Sequence, residues 1–169
     1  MPKGKSLYEE LLTVLNRQKV RYLVVGGVAV NLYGIERMTG DIDIIIEMSP
    51  ANLERFLDAA QLLKLKPSIP VKYKDITLES IAKWRREKDM IALRLIHSQN
   101  QMLILDLVFD DTVSFEEAFS LRETFRIGHI SFPVMSINDL IKMKQGVARE
   151  QDIADVYHLK RRREVDSDR

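Results

Sequence analysis

The sequence predicts an α+β protein in which strands alternate with amphipathic helices and the chain closes on helices. Three observations lead there. The β-branched run Tyr22-Leu-Val-Val enters Gly26-Gly27 and then an Ala/Val/Leu segment, which reads as strand, tight turn and helix start. In Asp41-Ile-Asp43-Ile-Ile-Ile-Glu47 the acids alternate with isoleucines at the start of a strand. The apolar runs Met90–Ile96 and Met102–Phe109, separated by His97-Ser-Gln-Asn-Gln101, predict an antiparallel hairpin.

Composition narrows the class. At 169 residues and 46% hydrophobic content the chain suits a single domain over 1–163, with a helical part from about 136 to 163 and a frayed tail over 164–169. The net charge of +1, from 26 basic and 25 acidic residues, excludes nucleic-acid binding by bulk charge. The absence of cysteine removes disulfides, thiolate zinc sites and cysteine nucleophiles, and only three histidines remain for metal work. Hard-cation chemistry is left open. No apolar run approaches the roughly 18 residues of a membrane span and the first residues lack a signal-peptide core, so a cytoplasmic protein without membrane contact is expected.

Taken in order, Leu7, Tyr8, Leu11, Leu12 and Leu15 recur at helical spacing behind Ser6 as N-cap, with the helix ending near Asn16 to Lys19. The first strand runs to Gly26, a short helix follows through about Tyr33, and Glu36 to Gly40 form a loop before the Asp41 strand. Ser49-Pro50 supplies an N-cap and first-turn proline for a helix with Leu53, Phe56, Leu57, Ala60 and Leu63 on its apolar stripe. Pro67 and Pro70 mark 66–76 as an exposed connection, and a short helix spans about Leu78 to Arg86. After the hairpin, Ser114 to Phe119 predicts a helix, and Gly128-His129 joins Thr124–Ile127 to Ile130–Val134. Ser136-Ile-Asn-Asp139 opens a helix with Leu140, Ile141 and Val147 facing the core. The last helix is expected to bury Ile153, Val156 and Tyr157.

Asp41 and Asp43 lie two apart on a strand and therefore point the same way, while Ile42, Ile44 and Ile46 point the other. Two like charges side by side call for a cation. Asp106, inside the apolar run 102–109, is a third carboxylate whose desolvation needs a compensating positive charge. Were its strand to lie beside that of Asp41, the all-oxygen set would suit Mg²⁺ or Mn²⁺. Free backbone N–H groups after Gly26-Gly27 would suit phosphate.

These residues resemble the nucleotidyltransferase superfamily of polymerase-beta-like folds. The resemblance covers about Leu7 to Leu159 and rests on Gly26-Gly27, then Asp41-Ile-Asp43-Ile, then Asp106 on a later strand. Arg37-x-Thr39-x-Asp41-x-Asp43 and the late Lys144, Arg149, Asp152 and Asp155 look like the small bacterial AbiEii-type and uncharacterised branch. Many members carry serine at the second glycine and lysine before the helical aspartate, where this chain has Gly27 and Gln151. The resemblance implies the nucleotidyltransferase fold, a mixed β-sheet flanked by helices. It implies Asp41, Asp43 and Asp106 as catalytic, metal-binding acids, and Gly26, Gly27 and Lys144 as triphosphate contacts. Arg37 and Thr39, in the loop before the acids, are added as contacts to phosphate or acceptor.

The expected activity is transfer of a nucleoside monophosphate from an NTP to a hydroxyl of an acceptor that is protein, tRNA or small molecule. The alternative is a non-catalytic nucleotide-binding or toxin–antitoxin component of the same fold, with a partner protein. A third reading makes the acids structural, paired with Arg37 and Arg94. In a register that sets Arg94 opposite Ile104, Arg94 and Asp106 share a face and can pair, and a one-residue shift removes that option. Asp152 and Asp155 are expected as an exposed pair, Lys160 to Arg163 as a solvated helix end, Trp84 as a core anchor, and the histidines as surface residues.

Overall fold

The computed structural model describes residues 7–146 and 149–168. Among these, seven strands form one mixed sheet in the order β3-β4-β5-β2-β1-β7-β6. The interior strand β1 (Tyr22–Val25) runs antiparallel to the central β2 (Asp41–Ile46) and parallel to β7 (Ile130–Val134). Every residue of β1 is buried, as its unbroken apolar sequence requires. Next to β2 lies β5 (Ile104–Val108), parallel to it, and β5 forms the expected antiparallel hairpin with β4 (Ala92–His97). The far edge is β6 (Glu123–Ile127), turned back on β7 through Gly128 at φ +58°.

The helices follow the sequence signals closely. In α1 (Leu7–Arg17) Leu11, Leu12 and Leu15 are buried, while the proposed cap Ser6 lies outside the described residues. After β1, α2 (Gly26–Leu32) starts directly at the glycine pair. Pro50 opens α3 (Pro50–Leu62), and the Ser49 hydroxyl accepts from the Asn52 N–H. A Thr77–Ser80 capping box begins α4 (Leu78–Lys88), and Trp84 packs against the core. Then come α5 (Phe115–Ser120), α6 (Ile137–Gln145), capped by Ser136, and α7 (Glu150–Ser167). Leu140 and Ile141 face the core as expected; Val147 is not among the described residues.

Three expectations are corrected. The segment 66–76 is not merely an exposed connection: β3 (Leu65–Pro67) adds an edge strand to β4, and Ile76 is buried. Pro67 fits there because an edge position leaves its missing N–H without consequence. The Tyr73 hydroxyl donates to the Leu65 carbonyl and ties the connection to that strand. In α7, Ile153 and Tyr157 are 62% and 57% exposed, and the buried positions are Asp155 and Leu159. The helix also continues through Ser167, over the stretch read as a frayed tail, with Arg162 and Asp166 paired one turn apart.

Buried Asn52 ties together the ends of β1 and β2 remote from Gly26 and Asp43. Its side chain accepts from the Arg21 N–H at 2.8 Å and donates to the carbonyls of Arg21 at 2.9 Å and Glu47 at 3.0 Å. Helix α3 is thereby bound to the entrance of β1 and the exit of β2. Replacing Asn52 with alanine removes the partner of the Arg21 N–H and of the Glu47 carbonyl, while the Arg21 carbonyl keeps the Glu47 N–H, and should lower unfolding free energy by about 2–4 kcal/mol. Urea denaturation followed by circular dichroism measures the loss.

Candidate active site

The parallel pairing of β2 and β5 sets Asp43 opposite Asp106 and Asp41 opposite Ile104. Alternation along each strand then puts all three carboxylates on one face. Their neighbours Ile42, Ile44, Leu105 and Leu107 fill the core on the other. On β4, Arg94 stands directly opposite Asp106 rather than Ile104, two residues from the expected register and so on the same face. Its guanidinium binds Asp106 through both Nε, 2.9 Å from Oδ1, and Nη2, 2.7 Å from Oδ2. The same Nη2 donates to Asp41 Oδ2 at 2.7 Å. The expected alternative to a metal, an arginine–carboxylate pair, is therefore the arrangement in this structure. The bonds to Asp106, and then the charges of Asp41 and Asp43, hold the Arg94 guanidinium above its ordinary pKa, against partial desolvation.

Asp43 has no such partner. Burial first, then the charges of Asp106 and Asp41, push its carboxyl up to about 6, although the Gly27 N–H and Lys144 pull the other way. Among the described residues no three acidic or histidine groups already enclose a metal-sized space. Arg94 lies between Asp41 and Asp106.

The glycine turn packs directly on these acids. Gly26 has φ +64°, and a Cβ there would run into the Asp43 carboxylate, so only glycine fits. A Cβ on Gly27 would lie 2.8 Å from Thr39 Oγ1 and 3.2 Å from Arg37 Cζ. The structure thus brings Gly26, Gly27, Arg37 and Thr39 together with Asp43. Thr39 holds the loop by donating its hydroxyl to the Asp41 carbonyl at 3.3 Å.

On the helical side, Lys144 of α6 donates to Asp152 at 3.0 Å and lies 2.8 Å from Asp155 Oδ2. Arg37 forms an ion pair with the same oxygen of Asp155. Asp155 is only 1% exposed, so the expectation of an exposed Asp152–Asp155 pair is wrong. The reason is tertiary: two cations from distant segments compensate its burial, and Arg37 pairs with this helical acid and not with the strand acids that the third reading gave it. One signal was available, because Asp152, Asp155 and Leu159 share a helical face opposite Lys144. The Arg37 Nε is buried without a hydrogen-bond partner.

A cavity of about 520 Å³ opens over this assembly. Asp43, Asp106, the two glycines, Arg37, Lys144, Arg149 and Asp152 form its polar part, and Ile91, Val108, Phe109 and Met143 its apolar wall. Asp41 stands to one side, held by Arg94.

Solved structures with this architecture define the class. The lincosamide antibiotic adenylyltransferase LnuA, lincomycin-bound, superposes with a TM-score of 0.59 over 93% of this chain and 96% of its own, at 16% identity. ANT(2")-Ia in complex with adenylyl-2"-tobramycin does so with a TM-score of 0.54 over 90% and 85%, at 13% identity. The fold is that of nucleotidyltransferases. The chain itself belongs to a family described as nucleotidyltransferase of unknown function (DUF6036), whose model matches residues 5–169. No protein of curated function matches it closely enough to count as a relative.

Two outcomes follow for stability. Because the folded-state pKa of Asp43 lies above the ordinary carboxylate value, the folded protein holds that proton more tightly than the unfolded chain. Its contribution is complete below about pH 4 and is lost as pH rises through about 6, a change of about 3 kcal/mol. Asp43→Asn should therefore melt above the wild type at pH 8 without metal, and not at pH 4, in thermal scans at the two pH values. Asp155→Asn leaves Arg37 and part of Lys144 uncompensated and should destabilise by about 3 kcal/mol in urea titrations.

Proposed function

We propose that the protein is a divalent-metal-dependent nucleotidyltransferase that moves a nucleoside monophosphate from an NTP onto a hydroxyl of a small-molecule acceptor. The observation that carries this is the convergence of Asp41, Asp43 and Asp106 on one face of β2 and β5, against the Gly26-Gly27 turn. The fit to a metal can be judged from the residues. Asp41 and Asp106 already place one oxygen each at 2.7 Å from a single cationic nitrogen, and Asp43 lacks a counter-charge. Such an all-oxygen set suits Mg²⁺ or Mn²⁺. A bound ion would neutralise charge on the triphosphate and make the acceptor hydroxyl more acidic.

The chain's own residues supply the rest. Gly26 and Gly27 let the triphosphate approach the backbone closely, and Arg37 and Lys144 place positive charge beside it. Asp106 is positioned to take the proton of the acceptor hydroxyl. A bond forms between that oxygen and the α-phosphorus, the bond from the α-phosphorus to the bridging oxygen breaks, and pyrophosphate leaves. Held reactants would contribute through proximity as much as through charge. The cavity's apolar wall and its size support a small acceptor, as do the lincomycin and tobramycin named with the two structural neighbours. We place the protein in the cytoplasm, in keeping with its use of NTPs; among the described residues no helix is long and apolar enough to cross a membrane.

The test is label transfer from α-labelled NTP with Mg²⁺ in an extract of the host. Label should enter the small-molecule fraction, and Asp43→Asn should reduce transfer by at least about a hundredfold. Wild-type rates in that variant would overturn the mechanism. Label in protein or RNA would overturn the acceptor class alone. The alternative of a non-catalytic or toxin–antitoxin component draws on Arg94 occupying the acidic face; NTP binding without turnover, together with a co-purifying partner protein, would establish it.

A further inference from the structure

Arg94 reaches from β4 across β5 to β2. Its fork closes on both oxygens of Asp106, and the nitrogen that completes the fork also touches Asp41. The oxygens it takes, two of Asp106 on β5 and one of Asp41 on β2, include those a hard cation would need. Its surroundings differ from those of the other basic groups. The Arg94 side chain is 46% exposed, whereas Arg37 and Lys144 are largely enclosed and held by the acids of α7. Asp106 is buried and fixed by its strand, so in this pair the guanidinium is the partner with room to leave.

We propose that Arg94 is an internal counter-ion for the acidic face: it holds Asp41 and Asp106 when no metal is present, and a divalent cation binds by displacing its guanidinium into solvent. This rests on the metal reading of the proposed function. Three carboxylates on one face repel one another strongly in a partly dry site. A tethered guanidinium relieves that repulsion at all times, because it does not lose its proton in the working pH range. The same tie lowers metal affinity, since an incoming ion must break a bidentate pair before it gains its ligands. Arg94 is thus a positioning residue that sets the threshold for metal loading. The displaced head group, still anchored on β4, remains near the mouth of the cavity.

The experiment titrates Mn²⁺ alone into intact wild-type protein, Arg94→Gln and Arg94→Lys by calorimetry, with thermal melting of each at zero and saturating Mn²⁺. Arg94→Gln should bind Mn²⁺ at least about tenfold more tightly than wild type. It should also melt lower without the ion and gain more on adding it. Arg94→Lys keeps the charge but cannot bridge both carboxylates, so it should fall between the two, and it carries the test should the glutamine variant fail to fold. Equal or weaker Mn²⁺ binding in the folded variants overturns the displacement mechanism while leaving the metal reading intact. Heat evolved in none of the three proteins overturns both.

Discussion

Repulsion among Asp41, Asp43 and Asp106 is the constraint around which the rest of the site is organised. Neighbouring strands in a sheet lie about 4.8 Å apart, so carboxylates facing the same way on β2 and β5 interact strongly wherever water is thin. The structure answers in two ways. Arg94 neutralises Asp41 and Asp106 directly, and Asp43, left without a basic partner, responds by holding its proton more tightly. A fold that keeps such a set has accepted a local loss of stability. Under the proposed function that loss has a chemical use, because a multivalent cation would relieve the same repulsion.

The second organising feature is the ionic knot at Asp155. It ties the loop before β2, through Arg37, to α6, through Lys144, and so brings the C-terminal helices over the open end of the sheet. Buried ion pairs are poor sources of net stability compared with apolar packing, but breaking one partner is costly. Here the knot also holds two cations beside the glycine turn. Under the proposed function, a triphosphate would have to share them with acids already in place, which would couple its binding to the seat of α7.

Much of the fold was legible because its signals are local. Ser49-Pro50 and Ser136 announce helix starts through hydrogen bonds made within three residues, and Gly128 marks the β6–β7 turn. The glycine pair and the alternation in Asp41–Ile46 likewise announce a turn and a two-faced strand. Other elements were hidden. Prolines at 67 and 70 read as loop, yet β3 pairs at an edge where a missing donor goes unnoticed. Ile153 and Tyr157 read as core because hydrophobicity was the available guide, while the true inward face of α7 carries Asp152 and Asp155.

The sequence by itself determined which residues share a face: alternation along a strand is covalent geometry, so Asp41 and Asp43 had to point together. It also marked Gly26-Gly27 as the turn that ends the first strand, whereas the close approach of Asp43 that excludes a side chain at Gly26 is tertiary. Tertiary structure alone decided that β5 lies parallel beside β2, that Arg94 falls opposite Asp106, and that α7 turns Asp155 inward. Those outcomes depend on partners far along the chain, such as Arg37, 118 residues from Asp155. Whether a buried acid is tolerable is settled only when distant cations arrive beside it, and no local spacing encodes that meeting.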